Sequence, residues 1–337
     1  MARISVYTPG GMFLTDIRAI FARTWVLNGV GDGSFSVPYT SNKYREDYLN
    51  PGNLVVVKHE KLPEWIGVIA DDMNWGGAEV KIKCNDAIAL LSYRSTDAEE
   101  TLVGTPGSQV EQLINYVNAV DDTRLRPGAL YEEGEEKSLQ LGDFALVHLK
   151  TIQRRSGHSW QLESAVGEDN MLVINVNWLE RAGQDITSLM LVEGANMERG
   201  QQPLTQRGPI INSLTAYSQA STPQTRIRYV AQVEASISQY GLRQATKVFD
   251  VKTESALISA AEAYVKVSAW PTRASSIAVL DIGSVFDNLA LGNVLPVRFV
   301  VVGFQGGSPG LNADFGIAGM KYTNGSRCEL TVKQVME

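Results

Sequence analysis

The chain is short of the side chains that most often bind metals or carry redox chemistry. It has two cysteines, Cys84 and Cys328, and three histidines, His59, His148 and His158, in 337 residues. Two cysteines make no disulfide framework, and the length is ample for a core that needs no staples. Both cysteines fall in alternating segments, on the side shared with apolar residues, and read as buried free thiols. No His-Glu-x-x-His occurs, and no cysteine lies near a histidine at metal-ligand spacing. His148 sits in "FALVHLK" among apolar partners and reads as a packed histidine. The sequence points to no metal, no cofactor and no catalytic residue.

Positive charge is also in deficit. Thirty Lys and Arg stand against 37 Asp and Glu, a net charge of −7. That excludes a basic nucleic-acid clamp, which needs clustered cations to displace counterions from phosphates. It leaves room for a surface past which nucleic acid slides without sticking. No apolar run reaches about 18 residues, and the opening "MARISVYTPGGMF" has no apolar signal core. The expectation is a chain made and folded in a cytoplasm, without a membrane span.

The familiar reaction motifs are absent. "GFQGGSPG" (Gly303 to Gly310) lacks the Gly-Lys-Ser/Thr ending of a phosphate loop and reads as a mobile hairpin loop. There is no Gly-x-Ser-x-Gly elbow. Asp71 and Asp72 are adjacent, so on a strand they point to opposite faces and share no site. Glu132 to Glu136 lacks calcium-loop spacing and reads as a solvated loop. Asn324-Gly325-Ser326 matches a glycosylation sequon, but Asn-Gly is also a preferred hairpin turn. Trp65 reads as core. Trp75 is open between core and an exposed platform.

What the sequence does contain is sheet grammar. Ile4 to Arg23 alternates loosely. Asn28-Gly29 and Asp32-Gly33 are tight-turn signals, and Phe35 and Val37 alternate with serines up to Pro38. The valine run Leu54 to Val57 predicts a strand buried on both faces. Ile66 to Ala70 and Glu79 to Cys84 pair around Trp75-Gly76-Gly77. Val80, Ile82 and Cys84 face one way, Lys81 and Lys83 the other, which pins the register. Asp86 caps a short helix from Ala87 to Tyr93.

The middle is mixed. Ser108 and Glu111 form a capping box before Val110, Leu113, Ile114 and Val117 at helical spacing. Strands are expected at Phe144 to Lys150, Ser159 to Glu163 and Leu172 to Trp178. Residues 195–226 read as a long loop or loose hairpin, and Tyr229 to Ser238 as a strand. Thr253 or Asp250 caps a helix with a stripe of Leu257, Ala260, Ala261, Tyr264 and Val265. Pro271 then breaks the pattern, and Ile277 to Ile282 is a strand.

The stretch from Leu291 to Val335 repeats the one from Tyr48 to Asp86. Gly292-Asn293 matches Gly52-Asn53, Gly316 matches Gly67, and Leu330 and Val332 repeat the alternation of Val80 and Ile82. Any two meanders share some of this pattern, so the residues alone leave a true repeat and a coincidence both standing.

The layout resembles the hub proteins at the tip of bacteriophage tails and related injection machines. The residues that carry it are "GSFSVP", "YLNPGNLVVV", "EWIGVIADDMNW" and "AEVKIKCNDAIALLSYR", then "QYGLRQ", the helix from Thr253 to Val267, "AWPTRASSIAVLD", "LALGNVLPVRF" and "CELTVKQV". The resemblance covers about residues 1–94 and 180–337. The loop 303–314 is longer than the simplest pattern.

The resemblance implies a mainly β fold with α+β insertions. Two similar tube-type β-barrels, 1–94 and 181–337, would flank a mixed connector, 95–180, with a helical insertion near 253–268 in the second. It implies a homotrimer whose six barrels ring a channel at a tail tip or baseplate, between a tail tube or distal tail protein and a central spike, fibre or tape-measure protein. DNA would meet it only in passing. Acidic residues, Asp71 and Glu79 among them, would suit the lumen by repelling phosphate. A reading of another class is a carbohydrate-binding β-sandwich for cell-surface recognition, with Trp65, Trp75 and Trp178 as platforms. A tail-associated hydrolase would need a carboxylate or histidine constellation that the sequence does not offer.

Overall fold

The computed structural model describes residues 2–199, 205–207, 209–219, 226–251, 253–270, 272–300 and 311–335. The fold is mainly β with α+β insertions. It divides into two compact units, one of Met1–Gln201 with Ser276–Val332, the other of Gln202–Ser275 with Lys333–Glu337.

The first motif copy comprises β1 (Ala2–Tyr7), β2 (Phe13–Ala19), β3 (Phe21–Val26), β4 (Asp32–Pro38), the short α1 (Glu46–Leu49), β5 (Leu54–Lys58), β6 (Trp65–Gly76) and β7 (Glu79–Asp86). They lie in the order β3-β4-β7-β6-β5-β1-β2, all neighbours antiparallel. β5 is buried on both faces, as its valine run predicts. Opposed rungs put Ile4, Val57 and Trp65 on one face, followed by Val6, Val55 and Gly67. A Cβ on Gly67 would lie 2.2 Å from the Trp65 ring. The indole folds over this position, and only glycine leaves it room. In β7, Val80, Ile82 and Cys84 are buried while Lys81 and Lys83 are exposed. Asp86 caps the following 3₁₀ helix, its Oδ1 accepting from the Ile88 N–H at 3.1 Å.

The connector holds β8 (Thr101–Gly104), α2 (Pro106–Val120), β9 (Leu125–Leu130), β10 (Lys137–Gln140), α3 (Ala145–Ser156), β11 (Ser159–Val166) and β12 (Leu172–Leu179). Leu54, Val56, Ile66 and Val68 of the first copy share one core with α2, α3 and β12.

Two expectations fail in the connector. The cap of α2 is Thr105, whose Oγ1 accepts from Ser108 N–H, and not the box at Ser108 and Glu111; Pro106 fits the first turn because its missing N–H would have no helical partner there. Phe144 to Lys150 is helical, not a strand. Its apolar residues continue past Lys150 to Ile152, so Ala145, Leu149 and Ile152 make a helical stripe, closed by Gly157 at φ +78°.

Beyond β13 (Leu191–Val192) the chain enters the second unit. It forms β14 (Thr205–Arg207), β15 (Ser213–Ser218), β16 (Arg228–Gln232), α4 (Glu234–Tyr240), β17 (Gln244–Phe249), α5 (Glu254–Ser268) and the start of β18 (Thr272–Leu280). β15 is the central strand of the sheet β16-β15-β17, so part of 195–226 is regular structure and not loop. Tyr229 to Ser238 is a strand only as far as Gln232, after which α4 begins and runs to a C-cap at Gly241, φ +74°. Leu257, Ala261 and Val265 of α5 pack on Leu214, Ala216 and Ala231. Thr253, not Asp250, caps α5, its Oγ1 accepting from Ala256 N–H at 3.3 Å.

The first unit resumes with the rest of β18 and with β19 (Val294–Phe299), β20 (Leu311–Tyr322) and β21 (Arg327–Gln334). Here the repeat holds bond for bond. Gly52 N–H donates to Ile69 O at 2.9 Å, and Gly292 N–H to Ile317 O at 2.8 Å. Ile69 N–H returns to Asn53 O, and Ile317 N–H to Asn293 O, at 2.8 and 2.9 Å. Gly52 and Gly292 have φ of +88° and +82°, a conformation that favours glycine. The buried amides of Asn53 and Asn293 tie each turn to Asp47 O and Asn288 O, at 2.9 and 2.8 Å.

The matching of Gly316 to Gly67 is one residue out. Gly67 faces Val55, whereas Gly316 faces Val294, the counterpart of Leu54. Ladder position therefore makes Phe315 the counterpart of Gly67, and Ala313 that of Trp65. The copies exchange large for small at adjacent same-face positions, which conserves volume. Glycines are poor markers of register because one copy needs the gap and the other fills it.

The ladder Gly319↔Val26 to Tyr322↔Arg23 joins the copies into one sheet. The equivalence of the turns predicts that Asn53→Ala and Asn293→Ala each destabilise the protein by about 1–3 kcal/mol, the cost of leaving buried partners unsatisfied. Denaturant melts of the two variants check this. A large loss in one and none in the other would show that the turns are not equivalent.

Candidate functional site

The residues that the sequence singles out do not gather in one place. His59 Nδ1 accepts from Lys61 and Leu62 N–H, and its Nε2 lies 3.3 Å from the Tyr322 hydroxyl. His148 packs inside the α3 face, with Nε2 3.1 Å from Thr96 Oγ1 and accepting from Asp143 N–H. His158 Nδ1 accepts from Trp178 Nε1 at 3.1 Å. Burial lowers the pKa of all three. Cys84 and Cys328 are buried free thiols, as expected, and burial raises both, Cys328 to about 12.

Asp71 and Asp72 are both exposed, beside an irregularity in the β6/β7 ladder that breaks the alternation; Asp72 lies 3.3 Å from Lys83 Nζ. Glu132 to Glu136 are exposed, Glu132 accepting from Thr105 Oγ1 and Glu135 pairing with Lys137. Among the described residues no group of three or more His, Cys, Asp or Glu is placed to hold a metal, and no helix is long and apolar enough to cross a membrane. Trp65 and Trp178 are buried, at 1% and 0% exposure, so neither offers a ring face to a sugar. The Trp75 side chain and the stretch Gly303 to Gly310 lie outside the described residues.

A feature that the sequence patterns do not single out is Arg23. It sits on β3 where that strand meets β20, and it is 1% exposed. Its guanidinium lies over the rings of Trp25 and Tyr322, 5.0 Å from each centroid. None of its three nitrogens has a hydrogen-bond partner among the described residues. Burial without a counter-ion lowers its pKa to about 10. A signal is present in "FARTWV": Arg23 falls in phase with Phe21 and Trp25, on the apolar side of the strand.

A cleft of about 290 Å³ lies close by in the same unit, lined by Trp25, Trp65, Trp160, Glu64, Glu163 and Asp86 among others. Burial pushes Asp86 up to about 7, against the opposing pull of its bond from Ile88 N–H.

No protein-family model matches the sequence, and no curated protein matches it. Solved structures do. The 43 kDa tail protein of prophage MuSo2 from Shewanella oneidensis aligns over 99% of this chain and 98% of its own, with TM-score 0.59 and 16% identity. A tail protein from Neisseria meningitidis aligns over 99% and 96%, with TM-score 0.61 and 16% identity. This chain has the fold of phage tail proteins. The prophage tail protein gp18 from Listeria monocytogenes, with TM-score 0.61 over 98% and 94% at 13% identity, carries the same fold. In this fold Arg23 sits where the two motif copies join, and the turns at Gly52 and Gly292 sit where each copy is built.

Arg23→Met removes a buried, unpaired charge, a change that ranges from neutral to about 2 kcal/mol stabilising when packing is kept. A loss above about 2 kcal/mol in a denaturant melt would mean that the two cation–π contacts outweigh desolvation. Asp86 has a folded pKa above its ordinary value, so its stabilising contribution is complete below about pH 4 and is lost as pH rises through about 7. Asp86→Asn keeps an acceptor for Ile88 N–H. It should flatten the fall in melting temperature between pH 4 and 7 relative to the parent.

Proposed function

We propose that this protein is a structural hub of a phage tail tip or baseplate. Three chains form a ring of six motif copies that is nearly sixfold on the side of a tail tube or distal tail protein and threefold on the side of a central spike, fibre or tape-measure protein. The division into barrels at 1–94 and 181–337 with a connector at 95–180 is part of this reading. So is residence in the virion tail after assembly in a host cytoplasm.

The observation that carries the proposal is the bond-for-bond repetition of the Gly52 and Gly292 turns within one continuous sheet. A chain that presents the same strand unit twice supplies a threefold assembly with six similar units, and closed rings built head to tail tolerate such repetition. The likeness to tail proteins, two of them from prophages, supports the same setting. DNA passes through the ring without specific contact. The exposed Asp71, Asp72 and Glu79 and the net charge of −7 suit a wall that repels phosphate. The hub works by shape and needs no catalysis. Burial of Trp65 and Trp178 removes two of the three platforms on which a carbohydrate-binding reading depends.

Sedimentation velocity over a range of concentrations, alone and with isolated tail tubes, tests the assembly. The expected species is a trimer. A monomer under every condition would overturn the hub.

A further inference from the structure

The first motif copy carries a row of like charges on one face. The register sets Arg3 of β1 directly opposite Arg18 of β2 on one side and opposite Lys58 of β5 on the other. All three residues are exposed. Neighbouring strands lie about 4.8 Å apart, so the three backbone positions fall within about 10 Å. Directly opposed like charges destabilise a sheet, and this row stands in a chain of net charge −7. Part of it is answered. Lys58 Nζ lies 3.5 Å from Glu64 Oε2, and Arg3 Nη2 donates to Asp16 Oδ2 at 2.7 Å. The Arg18 side chain has no ion pair or hydrogen bond among the described residues.

The unanswered end of the row opens on a hollow of about 590 Å³ lined by Arg3, Asp16, Arg18 and Lys43. Lys43 enters it from the turn after β4. Its Nζ donates to Thr15 Oγ1 at 2.6 Å, a bond that fixes the ammonium and leaves two of its N–H groups for a ligand. Asp16 is held at both oxygens, Oδ1 accepting from Ser5 Oγ at 2.8 Å and Oδ2 from Arg3. The bond from Arg3 lowers the Asp16 pKa, so the carboxylate is ionised at neutral pH. Three cations around one ionised carboxylate leave the hollow with two net positive charges.

We propose that this hollow binds a phosphate group, as free phosphate or as a phosphomonoester. Such a group carries close to two negative charges at pH 7, the charge that the hollow leaves unbalanced. The Arg18 guanidinium is a planar fork that can take two phosphate oxygens, Lys43 is a point charge already in place, and Arg3 keeps the N–H groups that Asp16 does not use. A phosphodiester or a carboxylate brings one charge and balances half of the site, which sets the hollow apart from a nucleic-acid track. The ligand also accounts for the row. A bound dianion relieves the repulsion between Arg3 and Arg18 that the sheet otherwise carries, and stability is commonly given up where a site needs it. The site lies within one chain and does not depend on the ring reading above.

The test is titration calorimetry of the full chain with inorganic phosphate, in chloride buffers of matched ionic strength. The parent should bind one phosphate per chain, saturably. Arg18→Gln should weaken binding about tenfold or more, the worth of one or two charge-assisted hydrogen bonds. Lys81→Gln, an equal loss of charge at an exposed position outside the hollow, should leave binding unchanged. Without phosphate, Arg18→Gln should melt at or above the parent, because it removes an opposed charge, and phosphate should raise the melting temperature of the parent alone. Phosphatidylcholine vesicles with and without phosphatidic acid separate the sources. Co-sedimentation with the phosphatidic acid vesicles, competed by free phosphate, identifies a phosphate displayed on a surface; binding of free phosphate alone identifies a soluble compound. Absence of saturable binding by the parent overturns the proposal. Equal affinities in the parent and Arg18→Gln, or a matching loss in Lys81→Gln, would show general ionic screening and overturn it too. An Arg18→Gln chain that melts below the parent without phosphate gives Arg18 a structural role and has the same effect, as does vesicle binding that free phosphate does not compete.

Discussion

The seam between β3 and β20 is the constraint on which the rest of the first unit depends. Strands from opposite ends of the chain meet there, Arg23 beside Tyr322 and Val26 beside Gly319. Through those rungs two motif copies become one sheet, from which β19 and β13 branch at β20. The contact joins segments near opposite ends of the sequence, so it cannot form until both copies exist, and contacts of this kind slow folding. Arg23 raises the cost further. An ion at 1% exposure with two aromatic rings each 5.0 Å away is held in place by packing, and burial lowers its pKa.

The two copies obey different rules in their turns and in their cores. In the turns nearly every bond is reproduced, because a glycine at positive φ and a buried asparagine amide leave little latitude. In the cores bulk has moved. Trp65 and Gly67 on one side answer to Ala313 and Phe315 on the other, positions set by opposed rungs. Hydrogen bonds fix where a strand begins, while dense packing only fixes how much volume a layer must hold.

This contrast explains how far the sequence can be read. The alternation in Glu79 to Cys84 and the valine run at Leu54 place β7 and β5 correctly, since a period of two with charged residues on one side admits one register. Gly52-Asn53 and Gly292-Asn293 are visible as twins because their role is local. Gly316 pairs with the wrong partner by sequence because the exchange of bulk depends on contacts across the sheet. Phe144 to Lys150 misleads because seven residues are too few to separate a period of two from one of 3.6 when small and large apolar residues alternate; the stripe is clear only once Ile152 is included. Ser108 mimics a cap because its spacing to Glu111 is right, while Thr105 before Pro106 is the better start. Arg23 is in plain view on an apolar phase, but nothing local tells whether such an arginine is buried or turned out to solvent.

The exchange of bulk between Trp65 with Gly67 and Ala313 with Phe315 carries a consequence for how such a gene can change. A crossover between the halves within this strand would set Trp65 beside a phenylalanine in one product and Ala313 beside a glycine in the other. The first layer would be overfull and the second hollow, and a close-packed interior tolerates neither. The halves are thus barred from recombining there, and each is free to acquire its own surface without being overwritten by its twin.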